Sequence, residues 1–168
     1  MTCLTVLSLA VTGILAGCRS LTAIWEHTAD LEPADLGALG LEAASRGADE
    51  VTLVDSSRGA SQTCRRNIRS LGLGGVSAVT AKAAAFLAGP AGAPVDLVLI
   101  DPPYELSEEE LTAILIPLAR SEDPWLAPRA VVVVERSTRS PEPTWPAGLE
   151  RFADKRYGET TIWFAEPA

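Results

Sequence analysis

The chain is poor in the residues that hold metals and covalent cross-links. It carries one histidine, His27, and three cysteines, Cys3, Cys18 and Cys64, with no CxxC pair. An odd cysteine count without paired spacing argues against a disulfide framework, and a lone histidine argues against structural zinc. A reducing, cytoplasmic compartment and no metal are therefore expected. Lysine is nearly missing as well: of 14 basic residues set against 22 acids, only Lys82 and Lys155 are lysines. A net charge of -8 excludes a protein that grips nucleic acid over its whole surface, because phosphate contacts need cations in excess. The positive charge that remains sits on arginine, which suits local bidentate recognition of phosphate or carboxylate.

A positively charged start is also lacking. The opening run MTCLTVLSLAVTGILAGC is apolar and ends in Leu-Ala-Gly-Cys, the form of a lipoprotein cleavage box around Cys18. Its first basic residue, Arg19, follows the run, whereas an export signal begins with positive charge. The run is short for a membrane span. A buried strand or helix is expected here, with a lipid anchor at Cys18 as the alternative, and no membrane partner is expected. With no internal repeat and no dividing linker, 168 residues that are 47% hydrophobic read as one globular domain.

From Leu36 onward strand and helix signals alternate. Asp35 can cap a helix with Leu36, Leu39, Ala43 and Ala44 on its apolar side, closed by Gly47. VTLVD (51–55) reads as a buried strand. Ala60, Cys64, Ile68 and Leu71 recur at helical spacing among Arg58, Arg65, Arg66 and Arg69, and Gly72, Gly74 and Gly75 end that element. VSAVTA (76–81) predicts a third strand, KAAAFLAG a short helix, and VDLVLI (95–100) the most apolar strand, one that needs cover on both faces. Ser107 and Glu110 form a capping box ahead of a Leu111, Ile114, Leu115, Leu118 stripe, with Glu108, Glu109 and Glu110 at the positive end of the helix. AVVVVE (130–135) is another buried strand, and RFADKRYGETTIWFAE predicts a hairpin around Gly158. Trp25, Trp125, Trp145 and Trp163 follow no stacking pattern and read as packing residues.

This rhythm means an α/β fold with a mostly parallel, doubly wound sheet and a C-terminal antiparallel hairpin. In such sheets ligands bind beyond the carboxyl ends of the strands, where Asp55, Asp101 and Glu135 stand. At one of these ends VDLVLI runs into Asp101-Pro102-Pro103-Tyr104. A turn that stops a strand is one reading, since proline cannot continue the ladder. The chemical reading is more specific. Two prolines fix the backbone so that the Asp101 carboxylate and the Pro102 carbonyl can accept both hydrogens of one amino group, while Tyr104 offers a face on which a base stacks. Two acceptors on an exocyclic amine favour the pyramidal geometry in which its delocalised lone pair can attack.

Asp-Pro-Pro-Tyr after the fourth strand resembles the signature of class I, Rossmann-like S-adenosylmethionine-dependent amino methyltransferases. The blocks GALGLEAASRGADEVTLVDSS, the helix with Arg65, Arg66 and Asn67, LVLIDPPYEL, AVVVVERS and RYGETTIWFAE together resemble the RsmD family over residues 36–166. That resemblance implies methylation of a guanine N2 amine in small-subunit ribosomal RNA, or in an assembly particle, using S-adenosylmethionine; a monomer is expected, though no residue pattern speaks to it. It implies Asp101, Pro102, Pro103 and Tyr104 as catalytic residues, and Gly37, Gly40, Asp55, Ser56 and Asp101 as cofactor-binding ones. Asp55 also has a plainer reading as a turn acid that caps the next helix. The arginine helix is expected to be a solvated exterior before a phosphate-binding face, and at Tyr157-Gly158 a structural turn explains the glycine as well as a substrate contact does.

Residues 1–35 depart from the family pattern, while 36–168 carry the methyltransferase blocks. DLEPADLGALGLEA stands where the family has a glycine loop, so Pro33, Asp35 and Leu36 bring bulk and charge to a place where glycine normally lets the backbone approach the cofactor. TAIWEHTAD lacks the apolar run of a central strand, and LTVLSLAVTGILAG can supply a strand or a helix. The alternative function is therefore a non-catalytic Rossmann-like relative that has lost cofactor binding.

Overall fold

The structure is a computed structural model, and it describes residues 5–10, 38–103 and 105–168. Its elements are β1 (Thr5–Ala10), α1 (Ala38–Ser45), β2 (Glu50–Asp55), α2 (Arg58–Leu71), β3 (Val76–Thr80), α3 (Ala83–Leu87), β4 (Val95–Asp101), α4 (Glu108–Leu118), β5 (Leu126–Ser137), β6 (Leu149–Tyr157) and β7 (Thr160–Pro167). One seven-stranded sheet runs β3-β2-β1-β4-β5-β7-β6. Its first five strands are parallel; β7 is antiparallel to β5, and β6 to β7.

The early apolar run resolves as a strand at Thr5–Ala10, paired with both β2 and β4. An interior strand of the sheet thus comes from the segment before residue 36, and the sheet draws on both sides of that position. TAIWEHTAD, the altered glycine loop with Pro33, Asp35 and Leu36, and also Cys3, Cys18, Trp25 and His27 lie outside the described residues.

β4 reads as it packs. Val98 is fully buried, and Leu97, Leu99 and Ile100 are nearly so, because alternate residues enter two separate cores. Val98 and Ile100 join Val132, Val134, Leu87 and the α4 stripe Leu111, Ile114, Leu115 and Leu118. Leu97 and Leu99 join Leu53, Val133 and Ile162 with Leu41, Ala43 and Cys64 from α1 and α2. Each such burial stabilises by roughly 1.5–3 kcal/mol, which is why a central parallel strand tolerates almost no polar residue before its end.

Local signals set the helix ends. Ser107 Oγ accepts from Glu110 N at 3.2 Å while Ser107 N donates to Glu110 Oε2 at 3.1 Å, the predicted capping box. Backbone hydrogen bonding at that end, with help from Ser107, holds the Glu109 carboxyl below its ordinary range. Gly47 closes α1 at φ 98°, with its N–H on Ala44 O.

One core expectation fails at the end of α2. Leu71 is 62% exposed, because Gly72 turns the chain left-handed at φ 64°. Gly72 N then bonds Arg69 O, and Leu73 N bonds Ile68 O. In this reciprocal termination the residue beyond the glycine reaches back to the helix, so Leu73, packed against the second core, takes the place expected of Leu71.

The tryptophans in the described residues pack as expected. Trp125 is buried and donates to Leu87 O at 2.8 Å, Trp163 is buried, and Trp145 bonds Glu142. Gly158, at φ 56°, lies in the turn between β6 and β7. Among the described residues no helix is long and apolar enough to cross a membrane.

Candidate active site

Strand alternation brings three acids to one side of one rim. Leu53, Leu97, Leu99 and Val133 all face the core beneath α1 and α2. Stepping two residues along each strand carries Asp55, Asp101 and Glu135 to the same face at the carboxyl ends of β2, β4 and β5.

Asp55 is buried, and its Oδ1 accepts Ser57 N at 2.6 Å. Burial pushes its carboxyl above the ordinary value, and the Ser57 N–H opposes that shift. The plainer reading of Asp55 as the helix cap is corrected in detail. Ser57 is the N-cap of α2, accepting Ala60 N at 3.2 Å, because it stands three residues before the first amide it can reach, and Asp55 braces the turn ahead of it. Ser56 is exposed on that turn, and Gly40 is buried in the first turn of α1. Gly37 lies outside the described residues. Cys64 sits buried on α2, its thiol raised by burial and then by the Asp55 charge.

Asp101 ends β4 partly exposed, with Pro102 buried and Pro103 half-buried behind it. Tyr104 lies outside the described residues. The chain turns at once: Leu106 N donates to Pro103 O at 2.9 Å, and the capping box of α4 follows. Burial first, and the neighbouring Glu135 second, raise Asp101 to about 9. Glu135 is itself pushed up to about 7 by burial, with hydrogen bonding by Thr160 of β7 opposing.

Two residues escaped the sequence reading of the site. Glu135 was seen only as a strand-end acid, yet β5 lies directly beside β4. Arg136, the next residue, faces the other core, with a side chain only 5% exposed. Its Nη2 meets Glu108 Oε1 at 2.7 Å and its Nη1 donates to Leu106 O at 3.0 Å. The guanidinium therefore ties the end of β5 to two points of the segment that follows the Pro-Pro corner. An arginine after a run of valines was the available signal, since an arginine at a strand end is buried only when paired.

The α2 arginines are exposed. Arg65 donates to Ala78 O at 2.9 Å and Arg66 to Thr63 Oγ1 at 2.9 Å. Among the described residues no group of three or more His, Cys, Asp or Glu side chains is placed to hold a metal ion.

The comparisons fit this rim. The family described as Conserved hypothetical protein 95 matches residues 33–166. Ribosomal RNA small subunit methyltransferase D of Escherichia coli K12 is 36% identical over 123 residues, covering 73% of this chain and 60% of the relative. Its Haemophilus influenzae counterpart is 30% identical over 108 residues, 62% of this chain and 54% of the relative. The chain thus matches less than two thirds of the length of these relatives. A solved structure described as a putative methyltransferase from Escherichia coli superposes with TM-score 0.69 at 28% identity, covering 96% of this chain and 75% of that one. Its extent of match, the sheet order and the strand-end blocks agree, and the chain belongs to the Conserved hypothetical protein 95 family, the RsmD-type methyltransferases.

Proposed function

We propose that the chain transfers a methyl group from S-adenosylmethionine to the exocyclic N2 amine of a guanine in small-subunit ribosomal RNA, free or within an assembly particle, as a cytoplasmic monomer. The observation that carries this reading is Asp101-Pro102-Pro103 closing β4 on the same rim as Asp55. Relatives named as small-subunit RNA methyltransferases support the substrate class.

The described half of the cofactor site fits its proposed guest. A buried acid at the end of β2 suits ribose hydroxyls, with Ser56, Gly40 and, by family resemblance, Gly37 around it. S-adenosylmethionine supplies an electrophilic methyl on a sulfonium. The chain's own work is alignment: Asp101 and the Pro102 carbonyl hold the two amine hydrogens, Pro103 keeps the corner rigid, and Tyr104 stacks a base drawn out of its helix. The reading as a relative without cofactor binding is not favoured, since the rim keeps both acids.

The test is incubation of the purified chain with undermethylated small subunits and labelled S-adenosylmethionine, followed by nucleoside mass spectrometry. N2-methylguanosine is expected. Absence of label, together with no calorimetric heat at millimolar S-adenosylmethionine, would leave the non-catalytic relative.

A further inference from the structure

The ends of β4 and β5 hold a second acid that the amine-binding reading does not use. Leu97 pairs with Val131, Leu99 with Val133 and Ile100 with Val134, so the next step sets Asp101 beside Glu135. Neighbouring strands lie about 4.8 Å apart and side chains in register share a face. The two carboxyls therefore stand together at the rim.

We propose that Glu135 and Asp101 form a carboxyl pair sharing one proton, and that this pair receives the proton shed by the target amine. The inference rests on the methyl-transfer reading for its chemistry, but the pair itself is independent of it. In the step, the amine lone pair forms the N–C bond while the C–S bond breaks with its electrons left on sulfur, turning sulfonium into thioether. The nitrogen becomes positive and its hydrogen passes to the ionised oxygen of the pair, leaving a neutral amine and a pair carrying two protons. One of these returns to solvent after release.

The surroundings favour sharing over full ionisation. β1, Thr5–Ala10, is a strand without charged residues in its sequence, and Ala10 is in register with Asp101. Asp55, at the end of β2, is another acid on this face among the described residues, two strands away. From α2 the buried titratable group is Cys64, which couples to Asp55. From β7 the Thr160 side chain hydrogen-bonds Glu135. Arg136, the nearest cation in sequence, is committed to Glu108 and Leu106 O on the opposite face. Two like charges this close and partly desolvated cannot both persist at neutral pH, so one takes a proton. The values of about 9 for Asp101 and about 7 for Glu135 belong to the pair as a whole.

The experiment is a carbon-13 carboxyl NMR titration of the whole chain, wild type and Glu135→Gln, alongside the pH profile of methyl transfer. Expected are two linked carboxyl transitions above pH 6 in the wild type, and in Glu135→Gln a single Asp101 transition at least one unit below the wild type's upper one. The acid limb of methyl transfer, which in the wild type follows the lower of the pair's two transitions, should in Glu135→Gln coincide with the single Asp101 transition, a match that loss of packing alone would not produce. Wild-type carboxyls that all titrate below pH 5 would overturn the pair without reference to any variant, as would an Asp101 transition unmoved by Glu135→Gln. Normal NMR behaviour with no methyl transfer at any pH would instead overturn the catalytic reading and leave the pair standing.

Discussion

Arg136 Nη2 lies 2.7 Å from Glu108 Oε1, tying the end of β5 to the first turn of α4 across 28 residues of chain. The same guanidinium holds Leu106 O, so the segment after Pro103 is closed by a buried cation. Removing Arg136 would leave the Glu108 carboxylate, whose side chain is 26% exposed, partly desolvated and without its counter-charge.

Arg136→Met should therefore cost about 3 kcal/mol of unfolding free energy in a urea titration. The double variant Arg136→Met, Glu108→Leu should recover most of it, because the stranded charge is gone. In methyl transfer the single variant should raise KM for RNA while leaving S-adenosylmethionine affinity within about twofold, a change below roughly 0.4 kcal/mol.

The two strand-end aspartates should separate by function. Asp101→Ala is expected to abolish methyl transfer with S-adenosylmethionine still bound by calorimetry. Asp55→Ala is expected to weaken that binding by about tenfold or more, the loss of roughly one charge-assisted hydrogen bond. Retained transfer in Asp101→Ala would mean the acceptor site lies elsewhere.

Stability should respond to pH in an unusual direction for acids. Asp101 and Glu135 bind protons more tightly folded than unfolded, being raised to about 9 and about 7. The folded state then holds more protons, so stability falls as pH rises from the ordinary carboxylate range through those values. Their contribution is fully favourable only in acid. Glu135→Gln should accordingly raise unfolding free energy at pH 8 by at least about 1.4 kcal/mol, one pKa unit's worth. The gain should vanish near pH 4, where wild type and variant are equally uncharged at this site; thermal denaturation at both pH values checks it.

Gly75 should not tolerate a side chain. It sits at φ 75°, and a Cβ there would run into the Asp49 carbonyl, while its own carbonyl accepts Val51 N at 2.9 Å. Gly75→Ala should lose roughly 2 kcal/mol or more from strain at this turn, read as a lowered melting temperature. Gly74, with nothing near a built Cβ, is the matched control.

The elements and the Pro-Pro corner were legible because their causes are local. Ser107 and Glu110 cap whatever helix follows them, and VDLVLI can be satisfied only between two cores, whichever strands stand beside it. Leu71 was misplaced by the same kind of reasoning, since helical spacing ignores the left-handed turn at Gly72 that hands its core contact to Leu73. The early apolar run stayed ambiguous because periodicity does not separate a short buried strand from a helix.

Sequence alone determined the alternation of strands and helices, the acids at strand ends and the rigid corner at residues 101–103, all consequences of periodicity and backbone chemistry within a few residues. Only the tertiary structure decided that Thr5–Ala10 is the strand between β2 and β4, that Glu135 stands beside Asp101, and that Arg136 locks Glu108. Those are pairings between distant segments, selected by which surfaces can be buried together, and no local pattern encodes the partner.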